Sequence, residues 1–290
     1  MMEKTINALL LIKHSSYDAY KHHKLISSST RNASMPRSEI KRFKQTHDIH
    51  YQSLGRVEAL LKAMHINFHR YYRGSKIDYK KYNLIITLGG DGTFLEASHQ
   101  VHRQEIIGVN SDPNWSVGRF CTATANNLQV YLEEYLSGKA HIQLLQRFEL
   151  SLSTVKERYL VLNDVLVSHC NPAAMSRYYL SINDKKEEQR SSGVWFSTAA
   201  GSTGAIHSAG GVVLPAQSRQ IQYKPRELYQ GFGIKYHLNG GLLNADDRAQ
   251  MVSLVREGVV FVDGAHVCLP FGLGERLNIK LSNYPLRMIH

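Results

Sequence analysis

The sequence has few cysteines and no arrangement of them that suggests cross-links. There are 3 among its 290 residues, Cys121, Cys170 and Cys268, and no two of them have CxxC spacing. Their wide separation predicts neither a disulfide framework nor a zinc site built from cysteines. Such cysteine usage fits a reducing compartment best, so we expect a cytoplasmic protein.

Long hydrophobic runs are missing as well. Near the N-terminus, the apolar run from Ala8 to Ile12 is much too short to span a bilayer, and we interpret it as part of a first strand. We therefore expect no signal peptide, no membrane anchor and no membrane partner.

Acidic residues are outnumbered by basic ones. There are 24 Asp and Glu against 35 Lys and Arg, a formal net charge of +11, and such a field can attract nucleic acid, anionic lipid or phosphorylated small molecules. Much of the excess lies in Lys21 to Lys44, which lacks a sustained apolar period and which we predict to be a solvated peripheral loop. No RNP-type motif, zinc-finger spacing or basic heptad region is present, so we expect no nucleic-acid partner.

The first half of the sequence alternates strand and helix patterns. Three apolar runs are typical of buried parallel strands: Ile6 to Ile12, Leu84 to Leu88 and Ile106 to Val109. Between the runs, apolar residues recur at helical spacing. This βαβ rhythm predicts an α/β nucleotide-binding domain with a parallel sheet over residues 1–140.

From about residue 141 the pattern changes to one strand after another. The strand-like segments include Phe148 to Ser153, Tyr159 to Val167, Tyr178 to Ile182 and Val194 to Thr198. The pair Asp263-Gly264 stands between two apolar runs and predicts a tight hairpin. We therefore predict an all-β domain over residues 141–275, within which Leu214 to Arg256 has too weak a periodicity for assignment.

The strongest local signal is Gly89-Gly90-Asp91-Gly92-Thr93, which follows an apolar strand pattern and precedes a helical one. Glycines let the backbone turn sharply and approach a ligand, so that successive N–H groups and the helix N-terminus can face phosphate oxygens. A carboxylate beside phosphates repels them unless a metal ion neutralises the charge or the carboxylate accepts a proton from an attacking hydroxyl. Both roles indicate a kinase.

Other interpretations of this loop can be weighed. A dinucleotide-binding fingerprint needs a third glycine where Leu95 stands, and a P-loop needs Gly-Lys followed by Ser or Thr, so neither fits. A strand-to-helix turn with a purely structural role stays open.

Two further motifs lie in the second half. Ser197 to Gly204, continuing to Gly211, is dense in small and hydroxylated residues, which leave room for a planar ligand and supply uncharged donors. A flexible linker is the alternative. Asn163-Asp164 interrupts an apolar stretch, and buried polar residues need partners, which a ribose diol can provide. A polar pair satisfied within the core, or a bulge, explains these two residues equally well.

In this order and separation, the three motifs resemble the NAD kinase family. That family has GGDGT after a strand of an α/β domain, an Asn followed by an acid, a Gly-Ser-Thr stretch ending in SAGG, and an Asp-Gly turn. The resemblance extends from about Tyr82 to His266 and looks closest to the branch of plant NADH kinase and mitochondrial NAD kinase. The segments that carry the closer likeness are Gly108 to Pro113, Pro172 to Arg177 and Arg190 to Gly193.

The resemblance implies roles for particular residues. Asp91 is implied to be the base that takes the proton from a ribose 2′-hydroxyl, and Asn163 and Asp164 to contact the nicotinamide-side ribose. The residues implied to hold phosphates are Gly89, Gly90, Gly92 and Thr93. The residues implied to surround the adenosine are Ser202, Thr203 and Ser208. The predicted cofactor-binding set is completed by Thr198 and Gly201. The more common family pattern has Glu in place of Asp164 and an aromatic residue in place of Ala205.

The implied enzyme is a phosphotransferase that uses ATP with Mg²⁺ to phosphorylate the adenosine-ribose 2′-hydroxyl of NAD or NADH. The resemblance also implies a homodimer or homotetramer and a C-terminal segment, residues 276–290, that returns to the first domain. We expect no metal bound by side chains alone, since His65 and His69 are one helical turn apart but lack a carboxylate at the expected offset. The alternatives are a lipid kinase that shares GGDGT and a catalytically silent NAD(H)-binding sensor.

Overall fold

The structure, a computed structural model, describes residues 6–26, 35–231, 233–265 and 267–290. The chain divides into two compact units, one formed by Met1–Gln143 with Arg287–His290 and the other by Leu144–Leu286. Among the described residues, no helix combines the length and the apolar character that crossing a membrane requires.

Helices and strands alternate up to residue 145, and strands predominate afterwards. The first set is β1 Asn7–Ile12, α1 Ser16–Ile26, α2 Arg37–Ala63, β2 Asn67–Tyr72, a 3-10 helix at Tyr79–Lys81, β3 Leu84–Gly89, α3 Asp91–Ser98, β4 Glu105–Asn110, β5 Ala123–Thr124, α4 Leu128–Leu136 and β6 Ile142–Leu145. The second set is β7 Phe148–Leu152, β8 Arg158–Val161, β9 Asp164–His169, β10 Ser176–Ile182, β11 Lys185–Ser191, β12 Gly193–Ser197, α5 Ala205–Ser208, β13 Ile221–Arg226, β14 Gly241–Leu243, β15 Arg248–Ser253, β16 Gly258–Val262, β17 Val267–Pro270, β18 Arg276–Leu281 and β19 Leu286–Ile289.

The first unit is built on a sheet with the strand order β2-β1-β3-β4-β19-β6, and β5 also pairs with β4. Strand β1 runs parallel to β2 and β3, and β4 runs parallel to β3 and β19. Every residue of β3 is buried, as expected for a parallel sheet covered by helices. Helix α2 contributes Leu54, Val57 and Leu61 to the same core. The predicted α/β class is confirmed.

The second unit consists of two antiparallel sheets, β11-β10-β15-β18-β7-β8 and β14-β13-β12-β9-β16-β17. Alternate residues of both sheets enter one hydrophobic core, among them Leu150 and Ile279 from the first sheet and Val165 and Phe196 from the second. Two sheets that share a core in this way form a β-sandwich. The predicted all-β class is confirmed, and β13, β14 and β15 occupy the region that had no assignment.

The C-terminal segment returns to the first unit later than predicted. Strand β18, inside the predicted returning segment 276–290, pairs with β15 and β7 of the second unit because Leu277 and Ile279 alternate into that core. The strand that joins the first sheet is β19, where Met288 pairs with Ile106. The unit boundaries lie after residues 143 and 286, whereas the sequence predicted 140 and 275.

The basic stretch Lys21 to Lys44 is not a single loop, so that prediction was wrong at both ends. Residues 21–26 belong to α1 and residues 37–44 to α2, while residues 27–34 lie outside the described residues. The start of α2 shows no apolar period because it is mostly exposed, and the buried positions of this helix begin at His50. A helix anchored by its second half can extend into solvent with a polar first half.

Candidate active site

The glycine-rich loop joins β3 to α3 in the first unit. Strand β3 ends at Gly89, Gly90 is the N-cap residue of α3, and Thr93 N donates to Gly90 O at 3.0 Å. Side chains do not fit here: a Cβ on Gly89 would collide with Thr93, and one on Gly90 would come within 2.7 Å of Ser116 Oγ. Glycine is therefore required at these two positions, because the Thr93 and Ser116 side chains pack directly against the loop backbone. Phosphate binding to the backbone N–H groups of the loop stays a prediction.

Asp91, the first residue of α3, is oriented by the segment that follows β4. Its Oδ1 accepts a hydrogen bond of 2.8 Å from the backbone N–H of Phe120. The Phe120 ring is buried and stacks on Phe94 of α3 at a centroid distance of 5.3 Å. Gly108 on β4 makes room for this segment, since a Cβ there would collide with the Phe120 carbonyl oxygen. The Asp91 carboxylate is thus half-buried and pre-oriented, as a general base must be.

Two basic residues that the sequence patterns missed lie beside the loop. The Nε atom of Arg73 is 2.9 Å from Oε2 of Glu96, which lies on α3 one turn after Gly92. Held in this way, the Arg73 guanidinium lies against Gly92, and its Nη1 would be 3.2 Å from a Cβ at that glycine. The Lys13 side chain passes Gly89, and its Cδ would be 3.5 Å from a Cβ at that glycine. The loop is therefore flanked by two cations.

The topology of the sheet explains why these cations meet the loop. Lys13 directly follows β1 and Arg73 directly follows β2, and both strands are parallel to β3. The carboxyl ends of parallel strands share one edge of a sheet, where ligands bind in α/β folds. A basic residue placed directly after a strand was the available signal in the sequence. Desolvation lowers the pKa of Lys13, and the nearby Asp112 opposes that shift.

A polar turn after β4 lies at the same edge. Asn110 Nδ2 donates to Ser116 O at 2.9 Å, and Asn110 Oδ1 accepts the Asp112 N–H at 3.0 Å. Desolvation raises the pKa of the buried Asp112 carboxyl, and Lys13 opposes the shift. Thr93 Oγ1 and Asp112 Oδ1 are buried without a hydrogen-bond partner among the described residues. Asp91 and Asp112 are oxygen donors of the kind that Mg²⁺ takes in nucleotide sites.

In the second unit, Asp263 organises the segment that carries Asn163 and Asp164. Its carboxylate accepts the backbone N–H groups of Leu162, Asn163 and Asp164 at 3.0, 2.7 and 3.0 Å. Asp263 reaches them from the turn between β16 and β17, where its φ is +48° and that of Gly264 is +104°. These are the left-handed values of a hairpin turn, so the predicted hairpin is confirmed. What the sequence did not reveal is that the turn residue supports the polar pair.

Asp164 lies in a protected position. It is only 8% exposed, and its Oδ2 is 3.7 Å from where a Cβ on Gly204 would stand. Burial raises the pKa of Asp164 to about 7, and the charge of Asp263 adds to this effect. Near neutral pH the carboxyl is therefore divided between its two protonation states, and it can both donate and accept hydrogen bonds.

Part of the Gly-Ser-Thr stretch is buried, and its hydroxyls donate hydrogen bonds to backbone carbonyls of this stretch and of the neighbouring segment. Thr198 Oγ1 donates to Leu162 O at 2.6 Å, and Ser202 Oγ donates to Ala199 O at 2.7 Å. A Cβ on Gly201 would collide with a backbone carbonyl oxygen of the neighbouring segment. These three residues hold the stretch in place, and any role in ligand contact stays a prediction.

The predicted residues thus form two sets, one in each unit. The first set is the loop from Gly89 to Thr93, which includes Asp91. In the second set, Thr203 and Ser208 are exposed and Asn163 is half-buried. Exposed hydroxyls can reach a ligand directly, whereas the buried members shape the backbone around it.

Comparison with known proteins places these features in context. The sequence pattern of a family described as the ATP-NAD kinase N-terminal domain matches residues 7–140. The chain is 34% identical to a probable NADH kinase of Oryza sativa subsp. japonica over 229 residues, which cover 71% of this chain and 70% of that protein. It is 33% identical to an NADH kinase of Arabidopsis thaliana over 230 residues, which cover 68% and 69% of the two chains.

Solved structures share the fold at lower sequence identity. An NAD kinase from Archaeoglobus fulgidus in complex with ATP superposes with a TM-score of 0.70 at 20% identity, covering 98% of this chain and 94% of that one. Yeast NADH kinase complexed with NADH superposes with a TM-score of 0.68 at 14% identity, covering 99% and 84%. At these identities the likeness establishes the architecture.

Proposed function

This chain belongs to the NAD kinase family, and we propose that Asp91 is the general base of its phosphoryl transfer. The protein is a phosphotransferase that uses ATP to phosphorylate NAD(H), and nothing in the comparisons favours a lipid kinase or a silent sensor. The observation that supports the role of Asp91 best is its hydrogen bond to the Phe120 N–H, which holds the carboxylate at the start of α3.

In the proposed reaction, the Asp91 carboxylate accepts the proton of the adenosine-ribose 2′-hydroxyl. The hydroxyl oxygen forms a bond to the γ-phosphorus of ATP while the bond to the β,γ-bridging oxygen breaks, which gives NADP(H) and ADP. The protein's contribution is positioning and charge stabilisation rather than covalent chemistry. An oriented base suits such an in-line transfer.

The phosphates are proposed to lie against the loop. The backbone N–H groups of Gly89, Gly90 and Gly92 would supply donors, and Thr93, whose own N–H donates to Gly90 O, would contribute its hydroxyl. Arg73 and Lys13 flank the loop and would balance the phosphate charge, which the Asp91 carboxylate alone would repel.

Mg²⁺ fits the donors at this edge of the sheet. The buried Asp112 Oδ1 has no hydrogen-bond partner among the described residues, and Asp91 stands at the loop, so a cation carried by ATP finds carboxylate oxygens there. When bound, Mg²⁺ would neutralise phosphate charge.

The second unit is proposed to recognise the dinucleotide. Asn163 and Asp164 would contact the nicotinamide-side ribose, and the raised pKa of Asp164 lets its carboxyl donate to one ribose oxygen as well as accept from another. Thr203 and Ser208 would reach the adenosine directly. Thr198, Gly201 and Ser202 would support that surface through their contacts with the backbone.

The proposal extends to a homodimer or homotetramer in the cytoplasm. Its support is the family resemblance, together with three cysteines that are all free thiols and therefore suit a reducing compartment.

The test of function is direct. Purified protein is incubated with Mg²⁺ and ATP labelled in the γ-phosphate, with either NAD or NADH as acceptor. Label should appear in NADP or NADPH, and it should be absent when a 2′-deoxyadenosine analogue of the dinucleotide replaces the acceptor. Transfer of label to the deoxy analogue, or no transfer to either dinucleotide, would overturn the assignment.

A further inference from the structure

A cluster of three metal-ligating side chains lies at the opposite end of β9 from Asp164. Strand β9 ends at His169, Cys170 follows it, and Glu257 directly precedes β16. The two strands are antiparallel with His169 paired to Gly258, and the Cys170 N–H donates to the Glu257 carbonyl at 2.8 Å. Backbone pairing therefore brings the three side chains together, although Cys170 and Glu257 are 87 positions apart in the sequence.

The distances between the ligand atoms suit one small cation. Cys170 Sγ is 3.9 Å from His169 Nδ1 and 3.5 Å from Glu257 Oε2, and all three ligand atoms lie within 4.8 Å of one another. Bond lengths of about 2.3 Å for Zn–S and about 2.0 to 2.1 Å for Zn–N and Zn–O, with tetrahedral angles, place ligand atoms roughly 3.3 to 3.6 Å apart. The S–O separation already fits, the S–N separation would shorten by a few tenths of an ångström, and the Nδ1–Oε2 separation, which is at most 4.8 Å, would shorten by up to about 1.5 Å.

The ligand types favour zinc over magnesium or calcium. A thiolate and an imidazole are soft or borderline ligands, whereas Mg²⁺ and Ca²⁺ take oxygen donors. Cys170 and Glu257 are exposed, so a fourth ligand can come from solvent. We propose that His169, Cys170 and Glu257 bind one Zn²⁺ ion with water in the fourth position.

Binding would replace two hydrogen bonds at the surface. The Cys170 thiol donates to Glu257, and the Asn171 N–H donates to His169 Nδ1 at 3.0 Å. The second bond places the ring proton on Nε2, so Nδ1 carries the lone pair that a metal needs. Desolvation and the Glu257 carboxylate raise the pKa of the Cys170 thiol. The thiol would lose its proton to solvent as the S–Zn bond forms, and each bound ion should release one proton.

This site is independent of the phosphoryl transfer proposed above. None of its three ligands belongs to the loop at Asp91 or to the Asn163-Asp164 pair, so the metal test can fail while the kinase assignment stands. Metal binding and catalysis are therefore measured separately.

The experiment uses Co²⁺ as a spectroscopic probe on the whole chain after chelator treatment. Titration should produce a thiolate-to-cobalt absorption band that saturates near one equivalent and disappears when Zn²⁺ is added. Cys170→Ser should abolish the band, and His169→Ala and Glu257→Gln should each weaken binding by at least about 10-fold, since that loss is already typical when only an outer-shell partner of a ligand is removed. Cys268→Ser is the matched control, because it removes another exposed thiol and should change nothing.

Three results would overturn the proposal. The first is the absence of a cobalt–thiolate band in the unmodified protein. The second is a band that survives Cys170→Ser or is lost in Cys268→Ser. The third is binding unchanged in both His169→Ala and Glu257→Gln, which would reduce the site to an ordinary surface thiol. Far-ultraviolet circular dichroism of each variant separates lost binding from lost folding.

Discussion

The backbone N–H of Phe120 lies 2.8 Å from Asp91 Oδ1 and donates a hydrogen bond to it. This bond connects the segment after β4 to the first residue of α3, and it is made by a backbone group that substitution at Phe120 cannot remove, except by proline. The orientation of the proposed base is thus built into the chain path rather than into a replaceable side chain.

Asp91→Asn tests the base directly. The asparagine carbonyl can still accept the Phe120 hydrogen bond, so the fold and nucleotide binding should be kept while turnover falls by at least about 100-fold. Steady-state kinetics with thermal unfolding as a control measures both. Near-normal turnover in a folded variant would remove Asp91 from this role.

Arg73→Ala tests the cation beside the loop. Loss of a charged contact to phosphate should raise the KM for ATP by roughly 10-fold to 100-fold, the equivalent of about 1.5 to 3 kcal/mol. Arg70→Ala is the matched control, because Arg70 lies on the same strand, β2, and pairs with Glu58 at 3.0 Å. An equal effect of the two variants would show that general charge, and not a phosphate contact, is responsible.

Asp164→Ala should weaken NAD(H) binding by roughly 10-fold to 100-fold and leave ATP binding almost unchanged, because unpaired polar groups in a complex cost about 1 to 3 kcal/mol. Calorimetric titration of both nucleotides provides the measurement, with Asp184→Ala, an exposed acid of the same unit, as control. If ATP binding falls as much as NAD(H) binding, Asp164 supports the fold and does not contact the dinucleotide.

The raised pKa of Asp164 predicts a pH-dependent stability. Its folded-state pKa of about 7 exceeds the ordinary 3.8, so the folded state holds the proton more tightly, and the contribution of Asp164 to the free energy of unfolding should fall as pH rises from about 4 to about 7. Asp164→Asn removes this dependence. Above pH 7 it should be more stable than the unmodified protein by about 2 to 4 kcal/mol, and the difference should vanish near pH 4. Denaturant unfolding of both proteins across that range checks the sign, because their difference cancels the titration of other groups such as His50, whose lowered pKa acts in the opposite direction. A stability difference that grows toward pH 4 would contradict the raised pKa.

Gly108→Ala should disturb the segment that orients Asp91. An added Cβ would collide with the Phe120 carbonyl oxygen, so we expect a stability loss of about 1 to 3 kcal/mol and a fall in turnover. Gly55→Ala is the control: this glycine lies in α2 with nothing near its Cβ position, and alanine there should stabilise by up to about 1 kcal/mol. If Gly108→Ala lowers the stability but leaves turnover unchanged, Gly108 has no part in orienting Asp91.

Local sequence patterns predicted most of the fold. The apolar runs Leu84 to Leu88 and Ile106 to Val109 became β3 and β4, because a fully buried parallel strand needs an unbroken apolar sequence. The same reasoning failed for Lys21 to Lys44, where an exposed helical turn carries no apolar period. The family resemblance placed β18 with the first unit, and local patterns could not correct this, because alternation shows that a strand has a buried face but not which core that face meets.

The sequence by itself determined the glycine-rich loop, the Asn163-Asp164 pair and the hairpin turn, since glycine, turn residues and adjacent polar residues report on backbone conformation within a few positions. Only the tertiary structure decided that Lys13 and Arg73 flank that loop, that Asp263 supports Asp164, and that Glu257 meets Cys170. These relationships join segments far apart in the chain. They depend on strand order and register, which long-range packing selects and which no local pattern encodes.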